Sequence, residues 1–147
     1  MLRSKIIPIA FALFCGLALQ FQTNAAKAQS ATLFPGGNLY AGLALRSYNG
    51  HTLVNQQDGN VVLYNRNNIA IWASNTQGAS LGYFFMQTDG NLVLYDGNHV
   101  ARWASGTAGN PGAFLNIQDD GNMVIYRYGS QSETPNNALW ASGTSGQ

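Results

Sequence analysis

Three stretches of this chain share the skeleton Gln-x-Asp-x-Asn-x-Val-x-Tyr: QQDGNVVLY, QTDGNLVLY and QDDGNMVIY. Their recurring side chains are Gln56, Asp58, Asn60, Val62 and Tyr64; Gln87, Asp89, Asn91, Val93 and Tyr95; and Gln118, Asp120, Asn122, Val124 and Tyr126. Gln and Asn each carry an amide donor and a carbonyl acceptor, ionised Asp only accepts, and Tyr does both. A sugar hydroxyl is likewise donor and acceptor. An Asp accepting from one hydroxyl while an Asn donates to the same oxygen satisfies it, Gln and Tyr can fix two more, and Val can pack on the C–H face of the ring. An epimer with that hydroxyl turned elsewhere leaves buried polar groups unpaired, at about 1–3 kcal/mol each. The set suits stereoselective binding of a neutral polyhydroxyl ligand and calls for no metal or other cofactor.

Other chemistries fit less well. Asp-Gly-Asn is good turn chemistry by itself, but a turn does not call for Gln two residues earlier or Tyr further on. A glycosidase needs two carboxylates about 5–10 Å apart around one bond, whereas the repeat supplies one Asp per unit and no repeated partner acid. The DGN stretches offer too few oxygen ligands, at the wrong spacing, for an EF-hand calcium loop. Asp119, unique to the third copy, reads as a solvated turn residue, and His51 and His99 read as loop residues without metal-ligand spacing.

The elements that must hold these residues are strands. Gln56, Gln87 and Gln118 are 31 residues apart at each step, as are the matching Asp and Asn. Trp72 and Trp103 open WASNT and WASGT at the same spacing, and Trp140 opens the third copy 37 residues later, which places six extra residues within RYGSQSETPNN. A fixed period of this size signals repeats that share one core. Short Val/Leu/Ile/Tyr/Phe runs punctuated by Gly, Asn and Asp read as strands, and the Asp-Gly pairs as hairpin turns. A three-residue connection at Asp89-Gly90-Asn91 pairs Gln87 with Val93 and Met86 with Leu94. Gln87, Val93 and Tyr95 then share one face, and Met86, Leu92 and Leu94 the inward one. In the first copy Asn55 stands where Met86 and Ile117 stand, so its inward face is less apolar or its register differs. The tryptophans, recurring in step with the core, read as interior packing rather than as sugar-stacking platforms.

Residues 1–28 read as a secretory signal peptide: Arg3 and Lys5, the apolar IIPIAFALFCGLAL, then AKA ending at Ala28. Phe14 before Cys15 does not suit a lipoprotein signal. The product expected is a single domain over 29–147, secreted to an extracellular or periplasmic space and free of cysteine. It holds four arginines, no lysine and six acidic residues, a net charge of about −2. Such a chain lacks the electrostatic footprint for nucleic acid, and nothing in it suggests membrane insertion.

The three QxDxNxVxY copies, each leading to WAS, resemble the bulb-type mannose-binding lectins first known from monocot plants, over roughly Leu33 to Thr144. The resemblance implies an all-β fold, the β-prism II, with three four-stranded antiparallel sheets related by internal pseudo-threefold symmetry. It implies that the fifteen residues above form three mannose-binding sites, with Gln, Asp, Asn and Tyr hydrogen-bonding the sugar and Val touching its ring. The partners implied are mannose-containing glycans or a cell-surface polysaccharide, and strand exchange into a homodimer or higher oligomer stays open. Plant members usually place one half of a disulfide where this chain has Gly59, and the six-residue insertion after Tyr126 adjoins the third site. The reading adopted is the mannose-binding lectin; the alternatives on the same fold are a lectin-like bacteriocin or toxin recognising a bacterial surface and, after it, a module whose partner is a protein.

Overall fold

The turn signals and apolar runs resolve into hairpins. The computed structural model describes residues 31–129 and 135–147. The expected leader, 1–28, lies outside the described residues, as do positions 130–134 of the six-residue insertion. The described residues hold β1 (Thr32–Leu33), β2 (Asn38–Tyr40), β3 (Ala44–Arg46), β4 (Thr52–Asn55), β5 (Val61–Tyr64), β6 (Ala70–Ala73), β7 (Tyr83–Met86), β8 (Leu92–Tyr95), β9 (Ala101–Ala104), β10 (Phe114–Ile117), β11 (Met123–Tyr126) and β12 (Ala138–Ala141), with a 3-10 turn at Pro135–Asn137.

These strands form three four-stranded antiparallel sheets, as expected. The first is ordered β3-β4-β5-β6, the second β2-β7-β8-β9 and the third β1-β10-β11-β12. Each sheet is therefore one sequence repeat of three strands, completed by a strand from residues 32–46. Leu33, Leu39 and Leu45 lie one in each of these added strands, and all three are buried in the common core.

Alternation along the strands decides what is inside. Leu53 and Leu63, Phe84, Met86, Leu92 and Leu94, and Leu115, Ile117, Met123 and Ile125 point inward and are almost wholly buried. Each such side chain contributes roughly 1.5–3 kcal/mol, and a chain without cross-links depends on that term. Trp72, Trp103 and Trp140 close the core around the pseudo-threefold axis. Their ring centroids lie 5.5, 5.5 and 5.9 Å apart and each pair meets edge to face, a geometry that adds about 0.5–1.5 kcal/mol per pair. Half-buried, they pack against the core.

The hairpin register differs from the expected one by two residues. Met86 faces Leu92 and Phe85 faces Val93, because the connection is Thr88-Asp89-Gly90 and the Gln87 N–H already bonds the Asn91 carbonyl, at 2.9 Å. A slip of two preserves every face. Met86, Leu92 and Leu94 point inward, as expected. Asn55 keeps the common register, facing Val61. Although it is buried, its Nδ2 donates to the Leu39 carbonyl at 2.8 Å.

Candidate functional site

Each candidate site is built on the tight end of a hairpin. The turn needs a left-handed residue at its third position, which Gly59, Gly90 and Gly121 supply with φ of 86°, 93° and 90°. A Cβ on Gly90 would also collide with the Asn110 carbonyl, so glycine is required twice over. Within each turn the Asp accepts, through Oδ1, the backbone N–H of the Asn two residues on, at 2.9 Å in all three copies. That Asx bond fixes one carboxylate oxygen and leaves the other turned outward. Asp58, Asp89 and Asp120 are all exposed.

The Asn side chains are held from behind by the WAS-x-T segments. Oδ1 of Asn60, Asn91 and Asn122 accepts the hydroxyls of Ser74, Ser105 and Ser142 at 2.9, 3.1 and 3.0 Å. It also accepts the N–H of Thr76, Thr107 and Thr144 at 3.3, 3.1 and 3.2 Å. The threonine hydroxyls donate to the carbonyls of Gly59, Gly90 and Gly121 at 2.7, 2.6 and 2.7 Å, clamping the turn itself. The serine oxygens accept the N–H of Val61, Leu92 and Met123. With every Asn oxygen committed to the protein, its Nδ2 is the group left to donate.

Across the same face, Gln Nε2 donates to the tyrosine hydroxyl, at 2.6 Å for Gln56–Tyr64, 2.8 Å for Gln87–Tyr95 and 2.6 Å for Gln118–Tyr126. The tyrosines sit where each strand pair is irregular: the register shifts between Leu63 and Tyr64, Leu94 and Tyr95, and Ile125 and Tyr126. A bulge re-aims the side chain beside it. Val62, Val93 and Val124 form the floor between Gln and Asn and are only 4, 3 and 2 % exposed.

The fifteen residues identified in the sequence thus gather into three five-residue groups, one per sheet. In the first two groups each polar member spends part of its hydrogen-bonding capacity on the protein and keeps the rest. There Asp offers an acceptor, Asn a donor, and Tyr a hydroxyl whose oxygen is already engaged by Gln. Such half-satisfied, pre-set side chains suit a ligand with paired donor-acceptor hydroxyls.

The third group departs from the others. Ser145 Oγ donates to Asp120 Oδ2 at 2.7 Å; Gln77 and Ala108 occupy its place in the other repeats. Tyr126 is buried where Tyr64 and Tyr95 are half-exposed. Asp119 is not merely solvated, since its Oδ1 accepts the Asn49 N–H at 2.9 Å. His51 lies in the loop between β3 and β4, as expected, but it is buried there, 4 % exposed, and its ring leaves no room for a Cβ on Gly121. His99 does lie in a turn, at φ 61°. The QxDxNxVxY skeleton does not include the six Ser and Thr residues behind the Asn side chains. Their signal was present in the recurrence of WASNT and WASGT.

No family model matches this chain and no curated protein does. Solved structures do. Among them are monomeric monocot mannose-binding lectins from Gastrodia elata, 43 % identical, covering 79 % of this chain and 99 % of that one with a TM-score of 0.67. The mannose-specific agglutinin of snowdrop (Galanthus nivalis) bulbs, solved with methyl-α-D-mannoside, is 36 % identical, covering 71 % and 99 % with a TM-score of 0.62. A lectin of Marasmius oreades is 32 % identical, covering 80 % and 93 % with a TM-score of 0.69.

Proposed function

This chain belongs to the family of bulb-type, monocot mannose-binding lectins with the β-prism II fold, and on that premise we propose that it is a carbohydrate-binding protein recognising terminal α-mannose. The observation that carries the proposal is the Asp/Asn pair at each turn. One fixed carboxylate oxygen left to accept and one fixed amide left to donate can together satisfy a single hydroxyl oxygen and its proton. An axial hydroxyl of mannose meets that pair, and Gln and Tyr reach its neighbours. Recognition uses no metal and transforms no bond. The residues proposed to bind are the Gln, Asp, Asn, Val and Tyr of the three groups.

Four hydrogen bonds of about 1 kcal/mol net each amount to roughly millimolar affinity for a monosaccharide. Useful binding then arises from several sites per chain engaging one dense glycan surface. Mannose-containing glycans or a cell-surface polysaccharide are the proposed partners, reached after export of residues 29–147 under a leader at 1–28. Calorimetry with methyl α-mannoside tests the reading. Saturable heat that persists in EDTA and is lost with methyl α-glucoside, which differs at one hydroxyl, is expected. Silence with the mannoside, or equal binding of both sugars, overturns it.

A further inference from the structure

Building on the carbohydrate-binding reading, we propose that the outer face of the second sheet carries an aromatic platform. It binds the next residue of an oligosaccharide whose terminal sugar occupies Gln87, Asp89, Asn91 and Tyr95. The register assembles it: Asn38 faces Phe85 and Tyr40 faces Tyr83 across β2 and β7, while Phe85 faces Val93 and Tyr83 faces Tyr95 across β7 and β8. Directly paired residues share a face, so the platform is continuous with the second site.

Tyr83 is the hub. Its ring centroid lies 6.1 Å from Tyr40, 6.2 Å from Phe85 and 5.5 Å from Tyr95, and its hydroxyl is 3.1 Å from His99 Nδ1. Tyr95 belongs to both regions, its hydroxyl bonded to Gln87 and its ring against Tyr83. Over this surface lies an open cavity of about 560 Å³ lined by Asn38, Tyr40, Leu81, Tyr83, Phe85 and His99, a volume in the range of small-molecule sites. Tyr40 is 56 % exposed at its rim.

The chemistry selects a pyranose. A sugar ring has an apolar C–H face, which aromatic rings can cover, and a hydroxyl rim, which phenol and amide groups can bond. Tyrosine supplies both functions with little entropy to lose. No Asp, Glu, Lys or Arg lines the cavity, which matches a neutral saccharide. The matching positions in the other sheets are chemically different. The first sheet has Ala44, Arg46, Thr52 and Val54, and the third has Thr32, Phe114 and Asn116 with Phe34 beside them. The three primary sites therefore have unlike neighbours, and the second site is the one that reads chain length.

The test isolates that site in an Asp58→Asn/Asp120→Asn background and compares methyl α-mannoside with a panel of α-linked mannotrioses by calorimetry. At least one trisaccharide is expected to bind about tenfold more tightly than the monosaccharide, the scale of a ring contact with one or two hydrogen bonds. Tyr40→Ala should bring that ratio near one, and Tyr40→Phe, which keeps the ring, should retain most of it. Equal affinity for all the sugars, or a ratio unmoved by Tyr40→Ala, overturns the platform and leaves the lectin reading standing. No heat with any sugar overturns both.

Discussion

Ser145 occupies the carboxylate oxygen of Asp120 that its counterparts, Asp58 and Asp89, leave turned outward, through a 2.7 Å bond from its hydroxyl. A ligand at the third site must displace that hydroxyl, at a cost of about 1 kcal/mol. The third site is expected to bind methyl α-mannoside about fivefold more weakly than the second. Ser145→Ala, which copies Ala108 of the second repeat, should remove that difference. Calorimetric titration of Asp58→Asn/Asp89→Asn chains with and without Ser145→Ala measures it, and an unchanged affinity counts against the competition.

Asp89 and Asn91 separate binding from stability in opposite ways. Asp89→Asn keeps an Oδ1 for the Asn91 N–H and exchanges the outward acceptor for a donor. It should remove one site from the stoichiometry while leaving the melting temperature within about a degree. Asn91→Ala removes the same site but strands the Thr107 N–H and leaves the Ser105 hydroxyl only Thr107 Oγ1 as acceptor, since both now bond Asn91 Oδ1. It should also lose about 1–3 kcal/mol of stability, read from urea denaturation.

Restoring the repeat pattern at Asn55 should harm the protein. Asn55→Met imitates Met86 but removes the buried hydrogen bond that the Asn55 amide gives the Leu39 carbonyl beyond its strand pairing, and overfills a packed site. A loss of about 1–3 kcal/mol is expected in chemical denaturation. A neutral or stabilising outcome would show that the apolar pattern, not the hydrogen bond, governs this position.

Asp96 sets the acid response of the second sheet. It is buried at the turn after β8, and its carboxyl is held below the ordinary aspartate value, first by the Val100 N–H. Burial opposes this, and the Arg102 side chain and the Asn98 N–H assist it. A depressed folded value means stabilisation that is complete above the unfolded value and disappears as pH falls through the folded one. Melting temperature should therefore drop below about pH 4. Asn65 caps the equivalent turn of the first repeat with a neutral amide, accepting the N–H of Asn67 and Ile69. Asp96→Asn should accordingly show a shallower decline between about pH 5 and pH 2 in thermal scans.

Much of this was legible because the chain states its pattern three times. The alternation around Gln87, Met86, Leu92 and Tyr95 fixed the faces, and a two-residue error in pairing did not disturb them because the side-chain period in a strand is two. The strands β1, β2 and β3 carry no such signal: with two or three residues each they are too short to show a period and do not belong to the 31-residue repeat. Asn55 looked like a defect because its partner, Leu39, is supplied by that unseen segment. Ser145 could not be read as a competitor for Asp120, since a hairpin end and the chain terminus meet only in three dimensions.

The lacing of residues 32–46 through all three sheets has a consequence for how the molecule comes into being. β3 pairs with the next strand, but β2 must wait for β7 and β1 for β10. Loop closure over such spans is slow, and a fragment stopping after two repeats would leave β1 as an unmatched ribbon. No repeat is a self-sufficient module, and the last hairpin acts as the knot that tightens the drawstring.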